Sequence, residues 1–255
     1  MAPTRAVELL AVPGIPMVKP GDDLAALVAA GLKGQPPRAG DVLVLAQKIV
    51  SKAEGRIVDL KTVTPSARAV ELAAEVQKDP RLVELILSES VRVVRNRPNV
   101  LIVEHKLGFV MANAGIDQSN VAPQDGVERA LLLPKDPDGS AAKLRARLKE
   151  LCGIELAVMI IDSFGRPWRR GTTGVAIGAS GLPAMLDLRG SPDLFGRTLQ
   201  VTVSAFADEI AAAASLVMGQ ADEAQPAVLV RGLAWKAPAT AAAELVRPAT
   251  EDLFR

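Results

Sequence analysis

Apolar runs alternate with polar breaks along most of this chain, and their periods sort it into strands and helices. Residues 7–18, VELLAVPGIPMV, read as a strand broken by Pro13, Gly14 and Pro16. In GDDLAALVAAGL, Leu24, Leu27, Val28 and Leu32 recur at helical spacing, with Asp22 as the expected N-cap. Gly34 and the Pro36–Pro37 pair end that helix. Residues 41–60 give a buried strand, a polar stretch from Gln47 to Lys52 and a short strand after Gly55. The following segment predicts two helices split at Asp79–Pro80, because proline suits the first turn of a new helix.

Short strands at VRVVR, LIVEHK and GFVMANAG, with turns at 97–99 and Gly108, predict an antiparallel meander. RALLLPKDPDGSAAKLRARLKELCG predicts a strand, a loop and a helix capped by Ser140, with Leu144, Leu148 and Leu151 inward. AVMIIDSFGRPWRRG, residues 157–171, reads as a strand ending near Asp162 and then a basic turn. TGVAIGASGLPAMLDLRG follows as a glycine-punctuated strand pair. FADEIAAAASLVMG carries Phe206, Ile210, Ala213 and Val217 at helical spacing, with acids in its first turn, and PAVLVRG gives a last strand. Strands and helices mix without a regular βαβ rhythm, so the expected class is α+β, with mixed or antiparallel sheets and flanking helices. Residues 1–235 read as the working unit, and the Pro- and Ala-rich 236–255 as a peripheral tail.

Charge and composition narrow the function. Thirty Lys and Arg against 29 Asp and Glu leave a net charge of +1, which argues against a nucleic-acid or membrane-surface binder. The absence of Tyr, with only 5 Phe and 2 Trp, removes stacking platforms for single strands. Cys152 is the lone cysteine, so an intrachain disulfide is impossible and a reduced, cytoplasmic setting is expected. The chain opens with no leader-like basic and apolar pattern, and it holds no apolar run long enough to span a membrane.

Several chemistries are missing. No GxxxxGK[ST] phosphate loop occurs, and GVAIGASG does not fit the dinucleotide fingerprint. The one histidine, His105, reads as structural. What remains is acids, amides and hydroxyls at the ends of oily segments: Asp117 and Asn120 after FVMAN, and Asp162 and Ser163 after AVMII. Such oxygen donors suit Mg²⁺ or Mn²⁺. Gln47, Lys48 and Lys52 are groups that neutralise phosphate, and Arg166, Arg169 and Arg170 suit phosphate or carboxylate. Each alone reads more readily as a turn, a cap or a solvated face, and together they reach only a metal- and phosphate-using enzyme as one of two balanced readings.

VPGIPMVKPGDDL, GDVLVLAQKIVSKAEGR, NAGIDQSNV, LLLPKDPDGSA, IIDSFGRPWRRGTTGVAIGASG, DLFGRTLQVTVSAFADEIAAAASLVMGQ and PAVLVRG, in this order, resemble the coenzyme F420-0:L-glutamate ligase family. The resemblance implies a GTP-dependent, divalent-metal-dependent ligase with a non-P-loop nucleotide site and two intimately associated subdomains. Its substrates would be L-glutamate and the lactyl carboxylate of the deazaflavin coenzyme F420-0, with GDP and phosphate released through an acyl-phosphate and further glutamates as an option. It also implies a homodimer, two Mg²⁺ or Mn²⁺ ions and an additional K⁺ requirement. The flavin-binding domain that follows the ligase in some relatives is not expected, because this chain ends at Arg255. A same-fold ligase using another amino acid or acceptor, and a non-catalytic GTP-binding protein, are the alternatives.

Carried over by position, Ile15, Pro16, Met17 and Val18 resemble the segment lining the nucleotide, and Gln47, Lys48, Lys52 and Asn120 its polar contacts. Met218, Gly219, Gln220, Ala221, Asp222, Glu223, Ala224 and Gln225 resemble a nucleotide loop. Asp117, Asp162 and Ser163 resemble metal ligands, and Gln220 a contact of the second ion, with Asp222 or Glu223 as compensating acids. Asp117, Asp162 and Arg166 are the expected catalytic residues.

Overall fold

The computed structural model describes residues 6–119 and 126–253. Strand β1 (Glu8–Ala11) leads through the Pro13–Pro16 loop to helix α1 (Leu24–Gly31). Strand β2 (Val42–Ala46) runs straight into helix α2 (Gln47–Ala53), followed by β3 (Ile57–Asp59), α3 (Ala67–Val76) and α4 (Pro80–Ser88). Next come β4 (Ser90–Arg97), β5 (Val100–His105), β6 (Val110–Ala112) and β7 (Arg129–Leu131). Helix α5 (Pro137–Cys152), strands β8 (Ala157–Arg166) and β9 (Arg169–Ser180), the short β10 (Leu186–Asp187) and β11 (Val203–Ser204), helix α6 (Phe206–Met218) and β12 (Ala227–Arg231) complete the order.

The α+β expectation holds. A five-stranded sheet in the order β1-β12-β2-β8-β9 is antiparallel except for the parallel β2–β8 pair. Both faces of that pair are covered, so its sequence is a continuous apolar run rather than an alternation. Leu43, Leu45, Val158 and Ile160 face one core with α1 and α5; Val42, Val44, Met159 and Ile161 face a second core with α6. A third core joins α3 and α4 to β5 and the β3–β7 pair, and the antiparallel β4-β5-β6 meander is present as expected. Met111 and Leu133, from the chain around this third core, pack into the first core and tie the two together. Among the described residues no helix is long and apolar enough to cross a membrane.

Local departures have plain causes. Asp23, not Asp22, caps α1 by accepting from the Ala26 N–H at 3.0 Å; Asp22 instead closes the preceding turn by accepting from Lys19. Asp136 caps α5, because Pro137 occupies the first helical position and leaves the residue before it to accept from the Gly139 N–H. Ser140 lies inside that helix and donates to Glu54. Leu151 is 41% exposed, since Cys152 continues the buried side that Ala141 and Leu148 begin. The polar 47–52 stretch is helical, turning Ile49 and Val50 inward.

Strand β8 does not end at Asp162 but continues to Arg166, because β9 pairs with it that far. The register slips between Ile160/Ile161, leaving Ile177 as an extra residue on β9. Such a bulge reverses which face the flanking side chains take. Gly174 therefore backs against the Ala211 carbonyl of α6, and Gly178 against the Pro137 carbonyl of α5, where an added methyl would clash. Two helix N-termini complete the irregular strand: Asp208 of α6 accepts from the Ala176 N–H at 2.9 Å, and Asp138 of α5 from the Ala179 N–H at 2.8 Å. Asp138 also accepts from Ala242 at 2.8 Å and Ala243 at 3.2 Å, tying the C-terminal segment to the sheet.

His105 is buried, with Nδ1 accepting from the Leu107 N–H at 2.9 Å. Burial, then the charges of Arg56 and Lys106, push its pKa down to about 4, so the folded ring is neutral where an unfolded one takes a proton. The unfolded chain binds more protons between the two values, so stability is full above pH 6.5 and is lost as pH falls towards 4. The loss should reach about 3 kcal/mol. Chemical denaturation of wild type and His105→Gln between pH 4 and 7 checks this: the variant should show a flatter pH slope.

Candidate active site

The sheet's topology brings four distant segments to one edge. Strands β2 and β8 are parallel, so β2 ends there and β8 runs past the same edge, delivering Gln47 onward from one and Asp162 and Ser163 from the other. Strand β12 is antiparallel to β2 and begins at that edge, so the 218–225 loop sits just before it. Strand β1 is antiparallel to β12, so its exit, leading to 15–18, returns to the same edge. Backbone bonds from the Val12 N–H to Ala227 O and from the Ala46 N–H to Pro226 O, both 2.9 Å, hold these exits side by side. The carboxyl ends of parallel strands are where open sheets hold ligands.

A cavity of about 360 Å³ opens here, lined by Ile15, Pro16, Met17 and Val18, by Gln47, Lys48 and Lys52, by Asp162 and Ser163, and by the whole run from Met218 to Gln225. Sequence reasoning missed Ala46, Ile49, Gly174, Ser215 and Pro226, which also line it. Gly174 owes its place to the β8–β9 pairing, and Ser215 to the last turn of α6. Asn120 lies outside the described residues. The 218–225 loop is shaped by Gly219 at φ +72° and by Glu223, whose carboxylate accepts from the Ala221 N–H at 2.8 Å.

Asp117 comes from the segment between β6 and β7. Asn113, Ala114 and Gly115 turn consecutively at positive φ (53°, 53° and 65°), a left-handed conformation that costs roughly 1–2 kcal/mol per non-glycine residue. Asp117 then exchanges backbone bonds with Leu131 and reaches Lys48 Nζ at 2.6 Å. Ser119, also missed, donates its N–H (2.6 Å) and hydroxyl (2.9 Å) to Asp117 and accepts from Lys48 at 2.9 Å. The Asp-Gln-Ser spacing carried the signal, since an Asp side chain commonly accepts from the N–H two residues on. Burial raises the Asp117 pKa, but the hydrogen bonds from Lys48 and Ser119 more than offset it, and the net shift is downward.

Burial pushes Asp162 up to about 6, against the opposing Ser163 N–H and Lys48, while the nearby Asp117 charge adds to the rise. Burial also lowers Lys52, as does the adjacent Lys48. Gln47 is buried and accepts from the Ser51 hydroxyl at 2.9 Å. Two carboxylates in mutual repulsion, a hydroxyl and two ammoniums favour a positively charged ion together with an anion. The donor set fits a hard divalent cation. No group of three His, Cys, Asp or Glu suited to a metal occurs among the described residues, so Asp117, Asp162 and Ser163 would leave positions to water and phosphate, as Mg²⁺ and Mn²⁺ commonly do. The Lys48–Asp117 pair is about a third exposed, and such pairs are worth up to about 1 kcal/mol, little enough to exchange for a bound cation. Gln220 offers only a neutral amide, beside the acid of Glu223. Arg166 is half-buried beyond Ser163 on β8, whereas Arg169 and Arg170 are exposed.

These features define an α+β protein with a cavity where β2 of a parallel strand pair ends, and with no phosphate-loop sequence. The chain belongs to the F420-0:gamma-glutamyl ligase family, whose model matches residues 14–232. It is 48% identical over 253 residues to the coenzyme F420:L-glutamate ligase of Methanothermobacter thermautotrophicus, covering 98% of this chain and 99% of that protein. It is also 48% identical to the proteins of that name from Archaeoglobus fulgidus (250 residues; 98% and 96% covered) and Methanopyrus kandleri (243 residues; 93% of each).

The Glu223 carboxylate is the internal brace of the 218–225 loop. Glu223→Ala should raise amide hydrogen exchange at 219–223 at least tenfold while moving the thermal midpoint by less than about 2 °C, because the loop adds little to the core.

Proposed function

We propose that the protein is a GTP-dependent ligase that joins L-glutamate to the lactyl carboxylate of coenzyme F420-0, releasing GDP and phosphate. One observation carries this: the cavity at the strand ends gathers Lys48, Lys52, Asp162, Ser163 and the 218–225 loop in a chain that matches coenzyme F420:L-glutamate ligases along almost its whole length. The reading extends to a homodimer acting in the cytoplasm and to a K⁺ requirement, both supported by the family resemblance alone.

A carboxylate is a poor acyl donor, so the reaction needs activation. The acceptor carboxylate attacks the γ-phosphorus of GTP, forming an acyl-phosphate as the bond to the GDP oxygen breaks. The glutamate amine then attacks the acyl carbon, phosphate leaves with the C–O electron pair, and the amine proton passes to solvent. Catalysis of this kind is mostly positioning and charge stabilisation. Ile15, Pro16, Met17 and Val18 offer an apolar wall to the guanine, and Lys48 and Lys52 offer charge to the phosphates. Asp117, Asp162 and Ser163 would hold a Mg²⁺ or Mn²⁺ ion that, when bound, withdraws charge from the γ-phosphate. Gln220, with Asp222 or Glu223, would serve a second ion. Asp162 keeps its carboxylate at the entrance to the phosphate region, and Lys48, freed from Asp117, turns to the anion.

Incubation with F420-0, GTP, Mn²⁺ and a panel of amino acids, read by mass spectrometry, tests this. Glutamyl adducts should form with GTP alone among the nucleotides, and Asp162→Ala should reduce turnover at least 100-fold with the fold intact. Adducts with a different amino acid, or nucleotide binding without any adduct, would contradict it.

A further inference from the structure

The chemistry of the cavity accounts for the nucleotide end of the reaction and leaves the outer end of the β8–β9 hairpin, beyond Ser163, unused. Along β8, side chains alternate faces, so Asp162, Phe164 and Arg166 project on the same side. The register slip near the hairpin end lies on β9, where Arg170 and Gly171 are the extra residues, so this row is unbroken on β8. Phe164 is fixed in the middle by an edge-to-face contact with Phe109, ring centroids 5.7 Å apart. Arg166 stands at the end, about 13 Å from Asp162 at the usual rise per strand residue.

Arg166 differs from its neighbours. Its Nη1 is buried and makes no hydrogen bond among the described residues. Buried guanidinium nitrogens are rarely left so, and one that is calls for an absent partner. Arg169 and Arg170 are exposed to water and need none. No acid occurs from Ser163 to Leu186, so the hairpin offers Arg166 no carboxylate of its own.

We propose that Arg166 binds the phosphodiester of the deazaflavin acceptor and so turns its carboxylate towards the γ-phosphate end of the Asp162–Phe164–Arg166 row. The assignment rests on the ligase reading above. In that acceptor the phosphodiester and the carboxylate are carried on one carbon, so an anion-binding group beyond Asp162 on the same face meets the phosphodiester when the carboxylate is turned to the γ-phosphate. Guanidinium is also the side chain best matched to a phosphodiester, through two parallel N–H donors.

The test measures KM for F420-0, GTP and L-glutamate separately in wild type, Arg166→Gln, Arg166→Lys and Arg169→Gln. Arg166→Gln should raise the F420-0 KM about tenfold or more, the worth of a hydrogen bond to a charged group, with the GTP and glutamate constants within twofold. Arg166→Lys, which keeps the charge and loses the fork, should fall between, and Arg169→Gln should match wild type. A rise in glutamate KM instead, or an unchanged F420-0 KM in both Arg166 variants, overturns the assignment alone. Wild-type protein that does not turn over F420-0 overturns the ligase reading and this assignment with it.

Discussion

The parallel pairing of β2 with β8 is the constraint on which the rest of the molecule depends. Five consecutive pairs run from Val42↔Ala157 to Ala46↔Ile161, and every member but Ala46 is buried, so a slip of one residue would exchange the contents of two cores. Parallel strands run to the same edge, where β2 ends and β8 continues past it. That alone sets the start of α2 beside Asp162 and Ser163, and the antiparallel strands on the outer side bring the 15–18 and 218–225 segments to meet them. The site follows from the sheet.

A second device sets the shape of the far side. The extra residue at Ile177 lets β9 accept one helix on each face, with Gly174 and Gly178 at the two close approaches. The N–H groups of Ala176 and Ala179 are taken by acids from the first turns of those helices. Burial raises the Asp208 pKa, while the Ala176 bond opposes the rise and keeps the helix against the strand. The same hairpin then runs past the cavity and carries Arg166 outward.

Much of this was legible in the sequence because it is local. The oily runs of β2 and β8, the split at Asp79–Pro80 and the three-strand meander all follow from side-chain pattern and proline chemistry. Caps were harder: Asp22 against Asp23, and Ser140 against Asp136, differ by where the first turn begins, which neighbouring Pro137 and the Lys19 turn decide. The helical state of 47–53 was hidden by its polar residues. Long-range features were not legible at all. Nothing local joins Lys48 to Asp117, marks Ile177 as a bulge, or separates Arg166 from Arg169 and Arg170, since each depends on register across strands. Residue types at the candidate site came through, but their mutual geometry did not.

The central claim is that the cavity at the β2 and β8 ends is the nucleotide site. Hydrogen exchange with and without GTP and Mg²⁺ tests it most directly. The account predicts new protection at 15–18, 47–52, 162–163 and 218–225 together, with little change elsewhere. Protection confined to the separate cleft that Asp23, Glu54, Lys143 and Arg147 line among α1, α2 and α5 would contradict it.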